Sequence, residues 1–329
     1  MALCLALSAC TTKPVLAPAW PGDAPEQIEL SNTPFFPQDR YQCGPAALAT
    51  LLSASGYPST PDQLQPEVFL PERTGSLQPE LVAAARKRGF VVYPIRPELS
   101  DLIAQLHAGY PVLILQNQGL RSLPVWHYAV VIGANADTGA LVSRSGTRPR
   151  QLESASRFQR RWALADNWGI VALKPGQLPD HPDWNRYLAA VADLEAAGEL
   201  DAAAVAYRAA LMSDPGLAGA QFGLANAYYA SGNLDEAIRL YRSASTDPQL
   251  GLWALNNLSN LWLDQGCLDL AEAAIKQAQE GSEGTVEALI STRTRLQRLR
   301  INPEKQPGSL CESPMQNPLP PANFTVDGT

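Results

Sequence analysis

The chain has 329 residues, a formal net charge of −7 and a pI near 5.1. This length is typical of two domains. The acidic balance and the lack of a Lys/Arg run or an aromatic–basic stripe exclude a nucleic-acid-binding footprint. The five cysteines contain no CxxC pair, which excludes the usual zinc spacing, and no glycine-rich phosphate loop is present. No metal, nucleotide or other cofactor is therefore expected.

Residues 1–27 are predicted to be a lipoprotein signal remnant and tether. A short apolar run ends at "LSAC", residues 7–10, which resembles the lipobox of bacterial lipoproteins and implies lipidation of Cys10. The run is too short to span a bilayer and lacks a basic n-region, so the natural start is expected upstream. Thr11, where an Asp is absent, resembles outer-membrane lipoproteins of Gram-negative bacteria. We expect a lipid-anchored protein on the periplasmic side of the envelope.

Residues 28–176 are predicted to form an α+β domain. Pro45 suits the first turn of a helix over residues 44–55, and further helices are predicted in "SLQPELVAAARKRG" and "LSDLIAQLHAG". Strands are predicted in "FVVYPI", "YPVLILQN", "HYAVVIGAN", "ALVSRSG" and "WGIVALKP", with "ADTG" as a hairpin turn. Helices followed by hairpin-linked strands indicate an antiparallel sheet.

Cys43 is the candidate nucleophile because it stands at the start of the first predicted helix, in "QDRYQCGPAAL". The partial positive charge of a helix N-terminus favours a thiolate, which predicts a lowered pKa. Gly44 is expected to allow a substrate backbone to approach closely. Gln38 lies in the same segment, where its amide N–H could face an oxyanion.

His127 is the candidate base, since it stands at the head of an apolar strand that would hold its ring. The chain has only two other histidines: His107, predicted on the surface of a helix, and His181, predicted in a linker. A buried structural cysteine and a structural histidine are the alternative interpretation of these residues.

The order of "CGPA" with the upstream Gln38, then "LQPELVAAARKRG", then "HYAVVIG" resembles the papain-like peptidases that process double-glycine leaders of bacteriocins. Over residues 30–175 this resemblance implies a papain-like fold, with Cys43 as nucleophile, His127 as general base and Gln38 as oxyanion donor. It also implies an Asp or Asn after the histidine, on the next strand, to orient the imidazole.

The chain departs from that pattern at the third position. The corresponding strand offers Ser143 and Ser145, and the carboxyl and amide groups of Asp137 and Asn135 belong to the predicted hairpin turn. Ser145 or a backbone carbonyl is the predicted substitute. Loss of the carboxylate weakens control of the imidazole tautomer and lowers the expected rate.

Residues 182–300 are predicted to be three tetratricopeptide repeats with a capping helix, followed by a disordered tail over residues 301–329. Gly198, Gly232 and Gly266 lie 34 residues apart, and Ala, Leu and Asp columns keep the same spacing, which resembles tetratricopeptide repeats. The glycines are predicted to end the first helix of each pair, and the Asp that follows each one to cap the second.

Individual residues of the repeat region also carry expectations. Tyr207 and Tyr241 are predicted to pack between helix pairs, while Asn226, Tyr229 and Asn257 either join that packing or face a partner. Cys267 is expected to be inert in a turn, and Cys311 to be a free thiol. Prolines 175, 179 and 182 predict a linker with few contacts between the two domains.

The predicted function is that of an envelope cysteine peptidase that binds a peptide or protein substrate, with repeats that bind a protein partner or the substrate. Two alternatives remain open. One is a catalytically weak or inactive peptidase-like scaffold that binds peptides and assembles a complex. The other is an amidase or transpeptidase that acts on a non-ribosomal peptide.

Overall fold

The computed structural model describes residues 20, 26–38, 42–280, 287–302 and 311. The chain divides into two compact units. The first contains the residues up to 174 together with 178–190, and the second contains 175–177 together with the residues from 191 onward. Within the described residues, no helix is both long enough and apolar enough to cross a membrane.

The first unit is built on a seven-stranded antiparallel sheet in the order β2-β7-β3-β4-β5-β6, with β1 paired to the end of β4. Its central strands β3, β4 and β7 are apolar and largely buried, as expected for strands covered by helices. The strands are β1 Gln27–Glu29, β2 Val91–Pro94, β3 Val112–Asn117, β4 Trp126–Asn135, β5 Ala140–Ser145, β6 Arg148–Ser154 and β7 Gly169–Leu173.

Five helices accompany this sheet: α1 Cys43–Ala54, α2 Pro61–Val68, α3 Gln78–Arg86, α4 Leu99–His107 and α5 Ala155–Ala163. Helix α1 is apolar on all sides and is buried from Gly44 to Leu52, as an interior helix should be. It packs on β4, where Tyr128, Val130 and Ile132 share one hydrophobic core with it. The first turn of α1 is thereby fixed against the beginning of β4. The predicted α+β antiparallel fold is confirmed.

The predicted linker at Pro175–Pro182 is partly packed rather than free. The fully buried side chain of Gln105 donates to the carbonyl of Asp180 and accepts from its N–H, both at 3.2 Å. The hydroxyl of Tyr110 donates to the carbonyl of Leu178 at 3.1 Å. Residues 178–190 therefore belong with the first unit, because buried polar groups on α4 and beside it need these backbone partners.

The second unit is helical, as predicted. It consists of helix pairs with a further helix at the end, and α6 begins in the first unit. The helices are α6 Trp184–Ala196, α7 Leu200–Ser213, α8 Ala218–Ala230, α9 Leu234–Ala244, α10 Gly251–Asp264, α11 Leu268–Glu280 and α12 Glu287–Ile301. Consecutive helices from α7 to α12 pack on one another.

The repeated glycines have the role that their spacing predicts. Gly198, Gly232 and Gly266 lie between the helices of each pair with φ of 91°, 80° and 75°, a region that favours glycine. The prediction for the following aspartates was wrong. Asp201 and Asp235 lie inside the first turns of α7 and α9, and neither helix has a side-chain cap. Their negative carboxylates are instead stabilised by the positive, N-terminal end of the helix dipole.

The aromatic residues of the repeats pack inside the unit. Tyr207 and Tyr241 are buried, and Tyr207 lies so close to Gly223 that an added Cβ there would be 2.2 Å from the ring. Asn226 accepts from the hydroxyl of Tyr241 at 2.7 Å and from the amide of Asn257 at 3.0 Å. These amides and Tyr229, which bonds to the carboxylate of Asp264, take part in internal hydrogen bonds.

The expectations for two cysteines were wrong. Cys267 and Cys311 form a disulfide bond with a Cα–Cα distance of 5.1 Å, across 44 residues of sequence. Cys267 is buried in the turn before α11, where sequence spacing alone gave no indication of a partner. The bond links the predicted tail to the repeats. The remaining predicted tail, residues 303–310 and 312–329, lies outside the described residues, as do Cys10 and almost all of the predicted tether.

Candidate active site

Cys43 is the first residue of α1, and Gln42 is the N-cap. The buried apolar run that follows it anchors the helix in the core and so fixes the position of the sulfur. The side chain is half-buried against this core. Of the three described cysteines, Cys43 alone has a free thiol.

The pKa of the Cys43 thiol is raised, contrary to the sequence prediction. Burial is the main cause, because it removes the water that would solvate a thiolate. The backbone N–H groups of Tyr128, Gly44 and Cys43 itself oppose this effect, since they point hydrogen-bond donors at the sulfur. Burial outweighs the helix N-terminus here, so the resting residue is a neutral thiol.

Gly44 is required for packing rather than for access by a substrate. An added Cβ at this position would be 2.2 Å from the Oγ of Ser76 and 2.5 Å from its Cβ. Ser76 thus occupies the space beside the first turn of α1. Its hydroxyl is buried and has no hydrogen-bond partner within the described residues.

His127 is the second residue of β4 and is half-buried. Its Nε2 lies 2.8 Å from the Oγ of Ser145, which is only 3 % exposed at the end of β5. The pairing of β4 with β5 is irregular between Val131 and Gly133, and the pairing of β5 with β6 is irregular between Ser143 and Ser145, just before this position. The serine at 145 therefore occupies the place beside the imidazole where the sequence pattern called for a carboxylate or an amide.

The pKa of His127 is lowered to about 4, first by burial and then by the nearby positive charge of Arg161. The imidazole is consequently neutral at pH 7 and able to accept a proton. A serine hydroxyl can either accept from or donate to Nε2, whereas a carboxylate only accepts. Ser145 holds the ring but does not by itself impose the tautomer that leaves Nδ1 free as a base.

Gln38 is held by the turn between β5 and β6. Its side-chain Oε1 accepts from the backbone N–H of Gly146 at 3.0 Å. The backbone N–H of Gln38 donates to the carbonyl of Gly146, also at 3.0 Å. Its Nε2 donates to the carbonyl of Tyr128 at 3.4 Å. A carboxamide nitrogen carries two hydrogens, and among the described residues Tyr128 is the one that accepts from this nitrogen.

The predicted residues meet around Tyr128. Its backbone N–H faces the sulfur of Cys43, its carbonyl accepts from Gln38, and His127 precedes it. Among the described residues no hydrogen bond joins Cys43 to His127. Catalytic hydrogen bonds are often long in unliganded proteins and tighten when substrate binds.

Other candidates lie away from this site. Asn135 accepts from the N–H of Thr138 in the β4–β5 hairpin, and Asp137 lies in the same turn. His107 is half-buried and packs edge-on against Trp20 at 5.5 Å. The side chain of His181 is 84 % exposed and pairs with Asp180.

A buried polar network beside His127 was missed by sequence reasoning. Gln116 is the cross-strand neighbour of His127 and donates to Glu153 at 3.2 Å. Glu153 is 7 % exposed and also binds Arg161 at 2.8 Å. Cross-strand neighbours lie on the same face of a sheet, so the network and the imidazole share one face. Gln116 lies 37 residues before Glu153 in the sequence, so their contact depends on the folding of the sheet.

Within the described residues, no group of three His, Cys, Asp or Glu side chains could hold a metal ion. The arrangement offers instead a thiol, a neutral imidazole and backbone and amide N–H donors. These are the groups that nucleophilic acyl transfer uses.

Comparisons with known protein families match two separate stretches of the chain. Residues 34–165 match the sequence model of the Peptidase C39 family, and residues 194–249 match a tetratricopeptide repeat. No curated protein matches the chain.

Solved structures that are similar to part of this chain include two that contain a peptidase domain. A C39-like peptidase from Bacillus anthracis is 19% identical, with 46% of this chain and 98% of that chain covered and a TM-score of 0.38. The peptidase domain of Streptococcus ComA, a bi-functional ABC transporter involved in a quorum-sensing pathway, is 24% identical. The match covers 43% of this chain and 98% of that domain, with a TM-score of 0.34.

Proposed function

We propose that this chain, in which a peptidase C39-like domain is followed by tetratricopeptide repeats, is a cysteine peptidase of the cell envelope. One observation supports the proposal above all others. A free thiol at a helix N-terminus adjoins a strand that presents a neutral imidazole, held at 2.8 Å by Ser145. The match to the Peptidase C39 family over residues 34–165 supports the same activity.

The reaction begins with a neutral pair rather than with a preformed thiolate. The sulfur of Cys43 attacks a peptide carbonyl carbon while Nδ1 of His127 takes the thiol proton. The negative charge that develops on the carbonyl oxygen is met by the backbone N–H of Cys43 and the second N–H of Gln38. General-base assistance of this kind suits a base that is neutral at pH 7 and a thiol whose pKa is raised.

The intermediate then collapses in the usual order. The carbon–nitrogen bond breaks and the imidazolium of His127 gives its proton to the leaving amine. Water, deprotonated by the same imidazole, attacks the thioester, which releases the carboxylic acid and restores the thiol of Cys43. Ser145 orients the ring in both steps but stabilises the imidazolium less than a carboxylate would, which lowers the expected rate.

The repeats serve as the recognition module, and the protein is anchored in the outer membrane through Cys10 with both units in the periplasm. Two features support this location. "LSAC" at residues 7–10 resembles a lipobox, and disulfides such as Cys267–Cys311 persist in oxidising compartments. Replacement of Cys10 by Ser should move the protein from the detergent phase to the soluble periplasmic fraction. An unmodified protein that is already soluble would contradict the anchor.

The peptidase activity is tested by incubating the protein with a proteome-derived peptide library and sequencing the new termini. We expect cleavage by the unmodified protein and none by the Cys43→Ala or His127→Ala variants. Gln38→Ala should retain binding but lose about 100-fold in rate, the usual cost of removing one oxyanion donor. Cleavage that survives Cys43→Ala would refute the proposal.

A peptide-binding scaffold without hydrolytic activity is the second candidate. It is favoured because the partner of Nε2 of His127 is the hydroxyl of Ser145 and not a carboxylate. In that case the Cys43→Ala variant should retain the same peptides as the unmodified protein, and no new termini should form with either.

A further inference from the structure

The segment that connects β1 to Gln38 has no helix or strand of its own. We call residues 30–38 the strap. Its two prolines have no backbone N–H with which to form hydrogen bonds. The side chains of Leu30 and Phe36 pack against the hydrophobic core of the first unit. The strap also receives polar contacts from the β5–β6 hairpin, and these reach it near its start and at its end.

Arg144 of β5 makes the contacts near the start of the strap. Its Nε donates to the carbonyl of Thr33 at 3.0 Å, and its Nη2 donates to the carbonyls of Ser31 and Thr33, each at 2.8 Å. Its Nη1 donates to the carbonyl of Pro149 on β6. One guanidinium therefore joins the strap to both strands of the hairpin.

An irregularity of the hairpin accompanies this contact. The pairing of β5 with β6 shifts between Ser143 and Ser145, so that Arg144 lies opposite two residues of β6, 149 and 150. A bulge of this kind disrupts the ladder locally, and here the guanidinium binds the carbonyl of Pro149 beside it. The clamp on the strap is thus built into the fold of the hairpin.

Three consecutive residues of the hairpin contact the strap and the candidate site. Arg144 binds the strap near its start, and the hydroxyl of Ser145 lies 2.8 Å from Nε2 of His127. Gly146 binds the end of the strap, because its N–H and its carbonyl each form a 3.0 Å hydrogen bond with Gln38. The strap is therefore fastened at two points to the same short stretch that holds the imidazole.

We propose that Arg144 is a positioning residue for acyl transfer, which sets the amide of Gln38 at the place where the oxyanion develops. The inference rests on the proposed function, in which that amide is an oxyanion donor. A guanidinium that binds carbonyls of two elements holds them at a fixed separation, because its donors form one rigid plane. A shift of about 1 Å at a catalytic group costs up to about 100-fold in rate. Loss of the clamp should therefore slow the step in which the oxyanion forms.

Two reactions of Cys43 in the full-length protein test the proposal without knowledge of the natural substrate. With p-nitrophenyl acetate, the sulfur attacks the carbonyl carbon, the thiol proton passes to His127, and p-nitrophenolate leaves a thioester behind. With iodoacetamide, the sulfur displaces iodide at a saturated carbon and forms a thioether. An oxyanion develops only in the first reaction. Mass spectrometry of the peptide that contains Cys43 assigns each product, and Cys43→Ala is the blank.

Arg150 provides a matched control on the same hairpin. Its guanidinium binds both carboxylate oxygens of Glu29, at 2.9 and 2.8 Å, just before the strap begins. The Arg150 side chain is 48% exposed, and exposed ion pairs contribute little. Because β1 is also held by its backbone pairing with β4, Arg150→Met should change neither rate.

Arg144→Met removes the donors and keeps most of the length of the side chain. It should slow acylation by about 10- to 100-fold, the upper value being the usual cost of losing one oxyanion donor, and leave the iodoacetamide rate unchanged. In a Gln38→Ala background the same substitution should have no further effect, because the group through which Arg144 acts is already absent. Arg144→Lys retains the charge without the planar fork, so it should show the same selective loss to a smaller extent.

Three results would overturn this inference alone: an acylation rate that Arg144→Met does not change, an equal loss in both reactions, or a loss that persists in the Gln38→Ala background. An equal loss would mean that Arg144 only supports the fold. If circular dichroism shows that Arg144→Met is unfolded, the same criteria apply to Arg144→Lys. A Cys43 that reacts with neither reagent in the unmodified protein would overturn the proposed function and this inference with it.

Discussion

Replacement of Ser145 by Asp tests whether a carboxylate that contacts His127 would make the candidate site more reactive. The Oγ of Ser145 lies 2.8 Å from Nε2 of His127, so a carboxylate built there would contact the same nitrogen. A hydrogen bond to a charged group contributes about 1.5–3 kcal/mol, against about 0.5–1.5 kcal/mol for a neutral one. The imidazolium should therefore gain about 1–2 kcal/mol, which raises the pKa of His127 from about 4 by roughly one unit.

The same gain sets the expected change in rate. If it is fully expressed when His127 carries the proton, 1–2 kcal/mol corresponds to roughly a 5- to 30-fold increase in kcat/KM. The carboxylate would be in a site where Ser145 is 3% exposed, so part of the gain is lost to desolvation, and the variant should be less stable. Ser145→Asn is the matched control, because it has the same shape without the charge.

The assay combines two measurements. The pKa of His127 is obtained by NMR titration of the ring carbon protons, and the rate is obtained from labelling of Cys43 by a peptidyl acyloxymethyl ketone. Ser145→Asp should raise both values. Ser145→Asn can orient the ring but adds no charge, so it should leave the pKa of His127 unchanged. If the pKa of His127 does not move in Ser145→Asp, or moves equally in both variants, the assignment of this position is wrong.

Three further predictions concern charge and covalent structure. Because burial raises the pKa of Cys43, its alkylation by iodoacetamide should still accelerate above about pH 8.5, the ordinary pKa of a free thiol; a plateau below that pH would reveal an activated thiolate. Arg161→Gln removes a positive charge and should raise the pKa of His127 in the NMR titration, whereas Glu153→Gln keeps that charge and should not. Cys267→Ser opens a loop of 44 residues and should lower the free energy of unfolding by up to about 4 kcal/mol in urea, to the value of the reduced unmodified protein; an unchanged urea midpoint would show that the bond contributes nothing.

The sequence predicted the elements whose pattern is strong and local. Helix α1, strands β3 and β4 and the glycine-spaced helix pairs all follow from apolar runs or from a 34-residue period. Helices α2 and α5 were missed, although both had local signals. Thr60 and Gln63 form a capping box at the start of α2, and α5 buries Ala155, Phe158 and Trp162 on one face.

The sequence allowed candidate site residues to be named, but it did not allow their electrostatics to be predicted. Cys43, His127, Gln38 and Ser145 could be named from their order in the chain, and the structure places each of them beside another member or beside Tyr128. The raised pKa of the thiol could not be foreseen, because it depends on how deeply the sulfur is buried. The contact of Gln116 with Glu153 and the disulfide at Cys267 likewise depend on segments that are distant in sequence, which no local pattern records.

The backbone of Tyr128 contacts two residues of the candidate site at once. Its N–H faces the sulfur of Cys43, and its carbonyl accepts from the side chain of Gln38. The planar peptide before the Cα of Tyr128 therefore contacts the first group, and the planar peptide after it contacts the second. Tyr128 is also buried and paired with Leu115 in the middle of the sheet. Bending of the sheet at Tyr128 would shift both contacts together. Gln38 is also bonded to Gly146 and Cys43 is anchored through α1, so the β5–β6 turn and the helix share in fixing the distance between the amide and the sulfur.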